Sequence, residues 1–326
     1  MPISSDSQLQ AILDQYATYQ APPIAEQTPN NARNEPTLKN AVEDMTAQHV
    51  AARATTLVKP MPEPVGSITH VVIPSAEGGI LARVYTPEGD GPFPVLVYYH
   101  GGGWVIANLD VYDPSCRALC NAAQCLVVSV AYRQAPEAKF PAAHDDAYTA
   151  LQWAFQNAAS INGDPARVAV GGESAGGNMA VASCLTAKQQ GGQLPLFQLV
   201  IYPVASFAPT ASYEENGQNP PLVKEMMPWF WQHYLNTETD GRDPRIDLVN
   251  ADLQGLPPAL VLTAELDILR DEGELLAQRL HQAGVQTKQV RYPGMTHEFF
   301  GTAGVVDTAK EALTEAAEGL KAVFNS

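Results

Sequence analysis

One serine of this chain stands in a setting that could make it a nucleophile. Ser174 lies at the centre of Gly172-Glu-Ser-Ala-Gly176, between a predicted strand and a predicted helix. In a strand–turn–helix of this kind the serine occupies a sharp turn with its hydroxyl exposed, and the glycines leave room where strand and helix cross. A phosphate-binding loop is excluded, because the chain has no GxxxxGKS or GxxxxGKT segment and no GxGxxG opens this helix.

A serine hydroxyl is a poor nucleophile without a base, and His297 is the predicted base. It lies in a loop just after the predicted strand that ends at Tyr292, and sites form in loops at the carboxyl edge of a parallel sheet. His233 and His281 also follow the serine in the chain, but both lie inside predicted helices. We expect packing or surface roles for those two.

Asp267 is the predicted partner of that histidine, because it follows the predicted strand 258–264 after two residues. Its carboxylate would fix the tautomer of His297 and stabilise the imidazolium. Asp271 and Glu272 come next, but they fall where a helix begins. Acidic residues at that place are explained by the helix dipole and by capping.

A glycine-rich segment, His100-Gly-Gly-Gly103-Trp104, follows the predicted strand that ends at Tyr99. Its glycines let the backbone approach a ligand closely and turn N–H groups inward. Together with the N–H of Ala175, the segment predicts a three-donor hole for an oxyanion. No metal site is predicted, since His100 lacks partner ligands and His297-Glu-Phe-Phe-Gly301 has no second histidine.

Alternating strands and helices must position these residues. We predict a hairpin turn at Gly78-Gly79 between the first two strands. Alternating β and α units imply a mostly parallel, doubly wound sheet. Strands are predicted at 67–74, 80–86, 95–99, 126–132, 167–171, 196–202, 258–264 and 287–292, and helices at 113–123, 142–157, 178–190 and 271–283.

Two segments break the alternation. Residues 1–55 predict two or more helices and no strand, and a proline-rich link from Lys59 to Pro64 follows them. The segment 205–238 carries an aromatic stretch, which we interpret as part of a lid; the alternative is a crossover helix packed on the sheet. The predicted organisation is an N-terminal cap segment at 1–55, a core at 56–204 and 239–326, and a cap insertion at 205–238.

The charge balance disfavours several classes of partner. The 326 residues include 19 Lys and Arg against 35 Asp and Glu, a formal net charge of -16. Nucleic acid and anionic membranes would therefore be repelled.

The first residues predict no secretory signal and no apolar run reaches the length of a membrane helix, so we expect a cytoplasmic protein without stable membrane insertion. The four cysteines predict buried thiols, not a disulfide scaffold or a zinc site.

The HGGGW and GESAGG segments together resemble the hormone-sensitive-lipase-like (bacterial family IV) esterases of the α/β-hydrolase superfamily. Further matches, in the expected order over about residues 65–326, are YRQAPE at 132–137, FPAA at 140–143, LDILRDE at 266–272 and the His297 loop. The resemblance implies an α/β-hydrolase fold, with a mostly parallel central sheet flanked by helices and a helical cap. It implies a cofactor-free site with Ser174 as nucleophile, Asp267 as acid, His297 as base, and Gly102, Gly103 and Ala175 as oxyanion donors.

The resemblance also implies hydrolysis of short- to medium-chain acyl esters, so the expected partner is a small-molecule ester, with a homodimer as the candidate assembly. An amidase, a peptidase or a lactonase would share the same catalytic groups. A non-catalytic small-molecule receptor on this fold is a further alternative, against which the retained His297 argues. Four apolar side chains are interpreted as lining the substrate pocket, the alternative being core packing: Trp104, Met227, Phe230 and Phe299.

The sequence departs from the family pattern at four positions. Glu173 stands where Asp is usual, Gln134 where Leu is usual and Ile268 where Pro is usual. Glu298 follows the predicted base where Gly is common. We expect Glu298 to place an acid beside His297, to raise the pKa of that imidazole and to shift activity to more alkaline pH.

Overall fold

A central eight-stranded sheet organises the fold in the computed structural model, which describes residues 5–51 and 62–325. The strand order is β1-β2-β4-β3-β5-β6-β7-β8. Strand β2 runs antiparallel to both of its neighbours, and β3 to β8 are parallel. The predicted mostly parallel sheet is therefore confirmed. The strands are β1 (Ser67–Ser75), β2 (Gly78–Thr86), β3 (Phe93–Tyr99), β4 (Leu126–Val130), β5 (Gly163–Glu173), β6 (Gln198–Ile201), β7 (Ala259–Ala264) and β8 (Thr287–Tyr292).

Strand β3 shows why the apolar runs of this chain form strands. Every one of its residues is buried. Val95 and Val97 belong to the hydrophobic core on one face of the sheet, and Leu96 and Tyr98 to the core on the other. A strand covered on both faces must be apolar at every position, because its side chains alternate between the two faces.

Helices cover both faces of the sheet. Helices α5, α6 and α9 contribute to one core, and α4 and α10 contribute to the other. The buried residues of α4 recur at helical spacing, at Cys116, Leu119, Cys120 and Ala123. The helices are α1 (Ser7–Ala17), α2 (Pro29–Ala32), α3 (Leu38–Ala51), α4 (Asp113–Ala123), α5 (Ala142–Asn157), α6 (Ala175–Gln189), α7 (Ala211–Glu215), α8 (Met226–Tyr234), α9 (Arg270–Gln282) and α10 (Asp307–Phe324).

The structure differs from the sequence prediction at the first hairpin and near the C-terminus. The first hairpin turns at Ala76 and Glu77, not at the predicted glycines, because Ser75 pairs with Gly78 and both glycines lie in β2. Helix α10 was not predicted at all. Its buried face consists largely of alanines, which give a weak apolar signal.

The two segments outside the alternation are helical where the structure describes them. Helices α1, α2 and α3 occupy the N-terminal segment, and α7 and α8 lie in the segment 205–238. The predicted boundary at 55/56 and the start of the proline-rich link lie outside the described residues. Among the helices of the described ranges, none has both the length and the apolar character needed to cross a membrane.

Candidate active site

Ser174 lies on a strained turn between β5 and α6. Its backbone has φ +59° and ψ -120°, a region that non-glycine residues rarely occupy and that clusters at functional sites. Glycine is required next to it, since a Cβ on Gly176 would lie 1.9 Å from the carbonyl oxygen of Tyr99. The close crossing of strand and helix therefore leaves no room for a side chain at position 176.

The structure brings the three predicted catalytic side chains together in one row. Nε2 of His297 lies 3.0 Å from Oγ of Ser174, and its Nδ1 lies 2.7 Å from Oδ2 of Asp267. The other oxygen of Asp267 accepts a hydrogen bond from the N–H of Leu269 at 3.0 Å. All three side chains are buried. They follow β5, β7 and β8, so the carboxyl edge of the sheet assembles residues that are up to 123 positions apart.

The carboxylates around His297 favour its protonated form, whereas its burial disfavours that form. Desolvation alone lowers the pKa of this imidazole, but the Asp267 carboxylate, followed by Glu298 and Glu173, outweighs it. The net pKa is raised above the ordinary value. A base of this kind accepts a proton from a hydroxyl readily, since the imidazolium that results is stabilised.

Close to His297, one buried carboxyl group is hydrogen-bonded to two tyrosines, an arrangement that the sequence did not indicate. Glu173 accepts hydrogen bonds from the hydroxyls of Tyr98 and Tyr202. The ring of Tyr202 lies 4.8 Å from the ring of His297, measured between centroids. Burial raises the pKa of Glu173. The only signal in the sequence was the glutamate itself, at the carboxyl end of a strand and next to the serine.

The glycine-rich loop after β3 presents unused N–H groups. Gly102 has φ +98° and Gly103 has φ +56°, conformations that suit glycine. Within residues 5–51 and 62–325, no acceptor takes the N–H of either glycine. Ala175 is the first residue of α6, and the first N–H groups of a helix have no partner inside it. The predicted donors are thus available for an oxyanion.

A narrow apolar cavity of about 40 Å³ reaches the serine. Trp104, Met227 and Phe230, predicted as pocket residues, all line it together with Ser174 and His297. Helix α8 therefore forms one wall of the site. The ring of Trp104 is held by stacking on Tyr234, with centroids 4.5 Å apart.

Phe299, the fourth predicted pocket residue, does not belong to this cavity. It is fully buried, with its ring centroid 5.7 Å from that of Tyr202 and 5.4 Å from that of Tyr292. Those contacts place it in the core beneath the His297 loop. The expectation for Phe299 is corrected accordingly: its side chain packs on the sheet and supports the loop.

A larger cavity of about 590 Å³ lies outside the narrow one. Residues of the N-terminal segment between Tyr16 and Asn40 form much of its lining. The two cavities share lining residues, among them Gly102, Met226 and Glu298. The two cavities therefore adjoin each other at these residues.

This combination of features defines a class of protein. A doubly wound sheet, a serine on the turn after a central strand, and a histidine and an aspartate on later strand ends are the arrangement of the α/β hydrolases. The family model described as α/β hydrolase fold matches residues 96–301. The chain belongs to this superfamily and, within it, to the hormone-sensitive-lipase-like esterases.

Named relatives and a solved structure agree with that assignment. The chain is 42% identical to the carboxylic ester hydrolase LipN of Mycobacterium tuberculosis over 266 residues, which is 79% of this chain and 70% of the relative. It is 35% identical to an ethyl acetate hydrolase of Pseudomonas putida over 261 residues, covering 78% and 82% of the two chains. The solved structure of a hyperthermophilic esterase from Pyrobaculum calidifontis superposes with a TM-score of 0.85 at 36% identity, covering 99% of both chains.

Proposed function

We propose that the chain is a carboxylesterase that hydrolyses short- to medium-chain acyl esters through an acyl-enzyme on Ser174. One observation carries the proposal. The hydrogen-bonded row of Ser174, His297 and Asp267 ends at an apolar cavity that also exposes free backbone N–H groups. Relatives named as ester hydrolases support the choice of ester over amide or lactone.

Acylation begins when His297 takes the proton of Ser174 and the serine oxygen attacks the ester carbonyl. The carbonyl oxygen becomes an oxyanion, which the N–H groups of Gly102, Gly103 and Ala175 stabilise. His297 then gives its proton to the departing alcohol. Asp267 holds the imidazole in the tautomer that both steps need.

Deacylation repeats these steps with water in place of the serine. His297 removes a proton from the water, and the oxyanion of the new tetrahedral intermediate accepts hydrogen bonds from the same N–H groups. As this intermediate collapses, His297 returns the proton to the oxygen of Ser174, the bond between that oxygen and the acyl carbon breaks, and the carboxylic acid is released. Besides the ester and the water, every group that acts in this cycle is a residue of the chain.

The two cavities support the substrate class and the role of the helical segments. The narrow space beside the serine suits a short apolar acyl group, and the larger space accommodates the rest of the ester. Segments 1–55 and 205–238 thus act as the cap of a core formed by 56–204 and 239–326.

We place the enzyme in the cytoplasm, which the four buried, unpaired cysteines support.

The test is hydrolysis of p-nitrophenyl esters from acetyl to palmitoyl, with matched anilides and lactones alongside. Wild type should turn over the short esters, and Ser174→Ala should lose nearly all of that activity. Ser160→Ala, at an exposed serine in the short turn after α5, is the control and should match wild type. A wild type that hydrolyses the anilides or lactones faster than every ester would contradict the proposal.

A further inference from the structure

The loop that carries Gly102 and Gly103 has almost no hydrogen bonds of its own. Its internal backbone bonds are those from the N–H groups of Val105 and Ile106 to the carbonyl of Gly102, at 3.0 and 2.9 Å. Trp104 and Ala107 also have positive φ, at +60° and +64°. A conformation that strained persists only when surrounding groups hold it.

Four successive carbonyls of this loop, those of residues 104–107, are held from outside. The carbonyl of Trp104 accepts from the N–H of Ala135 at 2.9 Å. The side-chain amide of Gln134 donates to the carbonyls of residues 106 and 107, at 2.7 and 3.2 Å. The remaining carbonyl, of buried Val105, accepts from Nε of Arg33 at 2.8 Å.

Arg33 is the member of this set that comes from the N-terminal segment, directly after α2. Besides Val105, its guanidinium donates to the carbonyl of Ala135 at 2.7 Å. It also makes a two-point contact with the carboxylate of Glu137, at 2.8 and 2.7 Å. A planar guanidinium can satisfy these acceptors at once because its donors form a fixed fork.

We propose that Arg33 is a positioning residue that holds the oxyanion loop in its active conformation and so couples the N-terminal cap to catalysis. This inference rests on the proposed function. Arg33 does not touch the reacting atoms; it fixes the loop whose N–H groups do. Without it the buried carbonyl of Val105 loses its partner, and the loop must shift to find another or water.

The expected signature is a loss of transition-state stabilisation with little change in substrate binding. Loss of one oxyanion donor costs about 10²- to 10³-fold in kcat, and a displaced donor costs less. We therefore expect kcat of Arg33→Ala to fall about ten- to a hundredfold, with KM nearly unchanged. Affinity for a trifluoromethyl ketone, which forms a tetrahedral adduct with the serine, should fall by a similar factor.

Three further variants separate positioning from general stability. Arg33→Lys keeps the charge but lacks the fork, so it should restore little activity. Glu137→Gln should stay within about twofold of wild type, since Glu137 is exposed and a surface ion pair contributes little. Arg167→Ala is the matched control, because Arg167 also binds a carboxylate and a carbonyl, those of Asp164 and Pro92.

The experiment compares kcat, KM, ketone inhibition and Tm for these variants, with Ser174→Ala included. Millimolar guanidinium should restore part of the activity of Arg33→Ala but leave Arg167→Ala unchanged. Wild-type kcat in Arg33→Ala, whether or not KM rises or Tm falls, would overturn the inference. In that case active wild type and inactive Ser174→Ala would leave the proposed function standing. If wild type hydrolyses no ester, the proposed function itself fails. Should Arg33→Ala not fold, Arg33→Lys decides by the same readouts.

Discussion

Glu298 occupies a backbone position that suits glycine, and it does so next to His297, the proposed base. Its φ is +63°, and its carboxyl group accepts a hydrogen bond from the hydroxyl of Tyr112 at 3.3 Å. Burial raises the pKa of Glu298 itself, and its charge contributes to the raised pKa of His297. Glutamate in place of the usual glycine therefore strains the backbone at position 298 and helps to raise the pKa of His297.

We predict that Glu298→Gln moves the acid limb of the pH–kcat/KM profile to lower pH. The base must be neutral to accept a proton, so activity rises as pH passes the pKa of His297. Removing the neighbouring negative charge disfavours the imidazolium and lowers that pKa. Glu298→Gly should shift the limb in the same direction and also relieve the strained φ. Superimposable profiles for wild type and both variants would show that the carboxylate has no influence on the base.

At the scale of elements, helix α8 forms one wall of the narrow cavity beside the serine. Met227 and Phe230 face the narrow cavity from this helix. Phe230 also packs so closely on the glycine loop that a Cβ on Gly103 would lie 2.3 Å from its ring. Helix α8 and the loop that carries Gly102 and Gly103 therefore pack directly against each other beside the narrow cavity.

We predict that Met227→Ala moves the preference for acyl chain length to longer chains. Truncation enlarges the cavity where the acyl group ends, and one methylene in an apolar pocket changes selectivity by about 1–3 kcal/mol. The ratio of kcat/KM for octanoyl to butanoyl p-nitrophenyl esters should rise at least tenfold. Gln232→Ala, at an exposed position of the same helix, should leave the ratio unchanged. An unchanged ratio in Met227→Ala would place the acyl chain elsewhere.

The sequence predicted elements better than contacts between them. The buried strands and amphipathic helices follow from local periodicity, and their order implied the sheet edge where Ser174, Asp267 and His297 meet. Arg33 and Tyr202 gave no local signal, because their partners lie far away in the chain and only the fold brings them together. Phe299 shows the converse limit: an aromatic residue two positions after the base lines no part of the pocket.

At the scale of the whole molecule, the buried carboxyl group of Glu272 bears on how the free energy of unfolding depends on pH. Glu272 lies in the first turn of α9, where the sequence predicts a role in capping or with the helix dipole, but the structure shows it buried. Its Oε1 accepts hydrogen bonds from the N–H groups of Ala205 and Ser206, at 2.7 and 3.3 Å. It thus ties α9 to the loop after β6, where Val204 borders the narrow cavity.

Burial, and to a smaller extent the charges of Asp267 and Asp247, raise the pKa of Glu272 to about 8. In the unfolded chain this carboxyl ionises near its ordinary value of about 4.3. The folded state therefore holds the proton more tightly, and the stability that this provides is complete below the unfolded pKa. As pH rises towards 8 the unfolded state releases the proton first, so the free energy of unfolding falls, by on the order of 5 kcal/mol in total.

We predict that Glu272→Gln flattens this dependence, because an amide has no proton to release in either state. Urea unfolding at intervals from pH 5 to pH 9 measures the free energy of unfolding of each protein. The variant should lose less stability than wild type over that range, even if its stability at pH 5 is lower. Glu318→Gln, at an exposed position of α10, should follow the wild-type slope. Equal slopes for wild type and Glu272→Gln would mean that Glu272 ionises in the folded protein much as it does in the unfolded chain, and that its contacts with the loop are made by a carboxylate throughout.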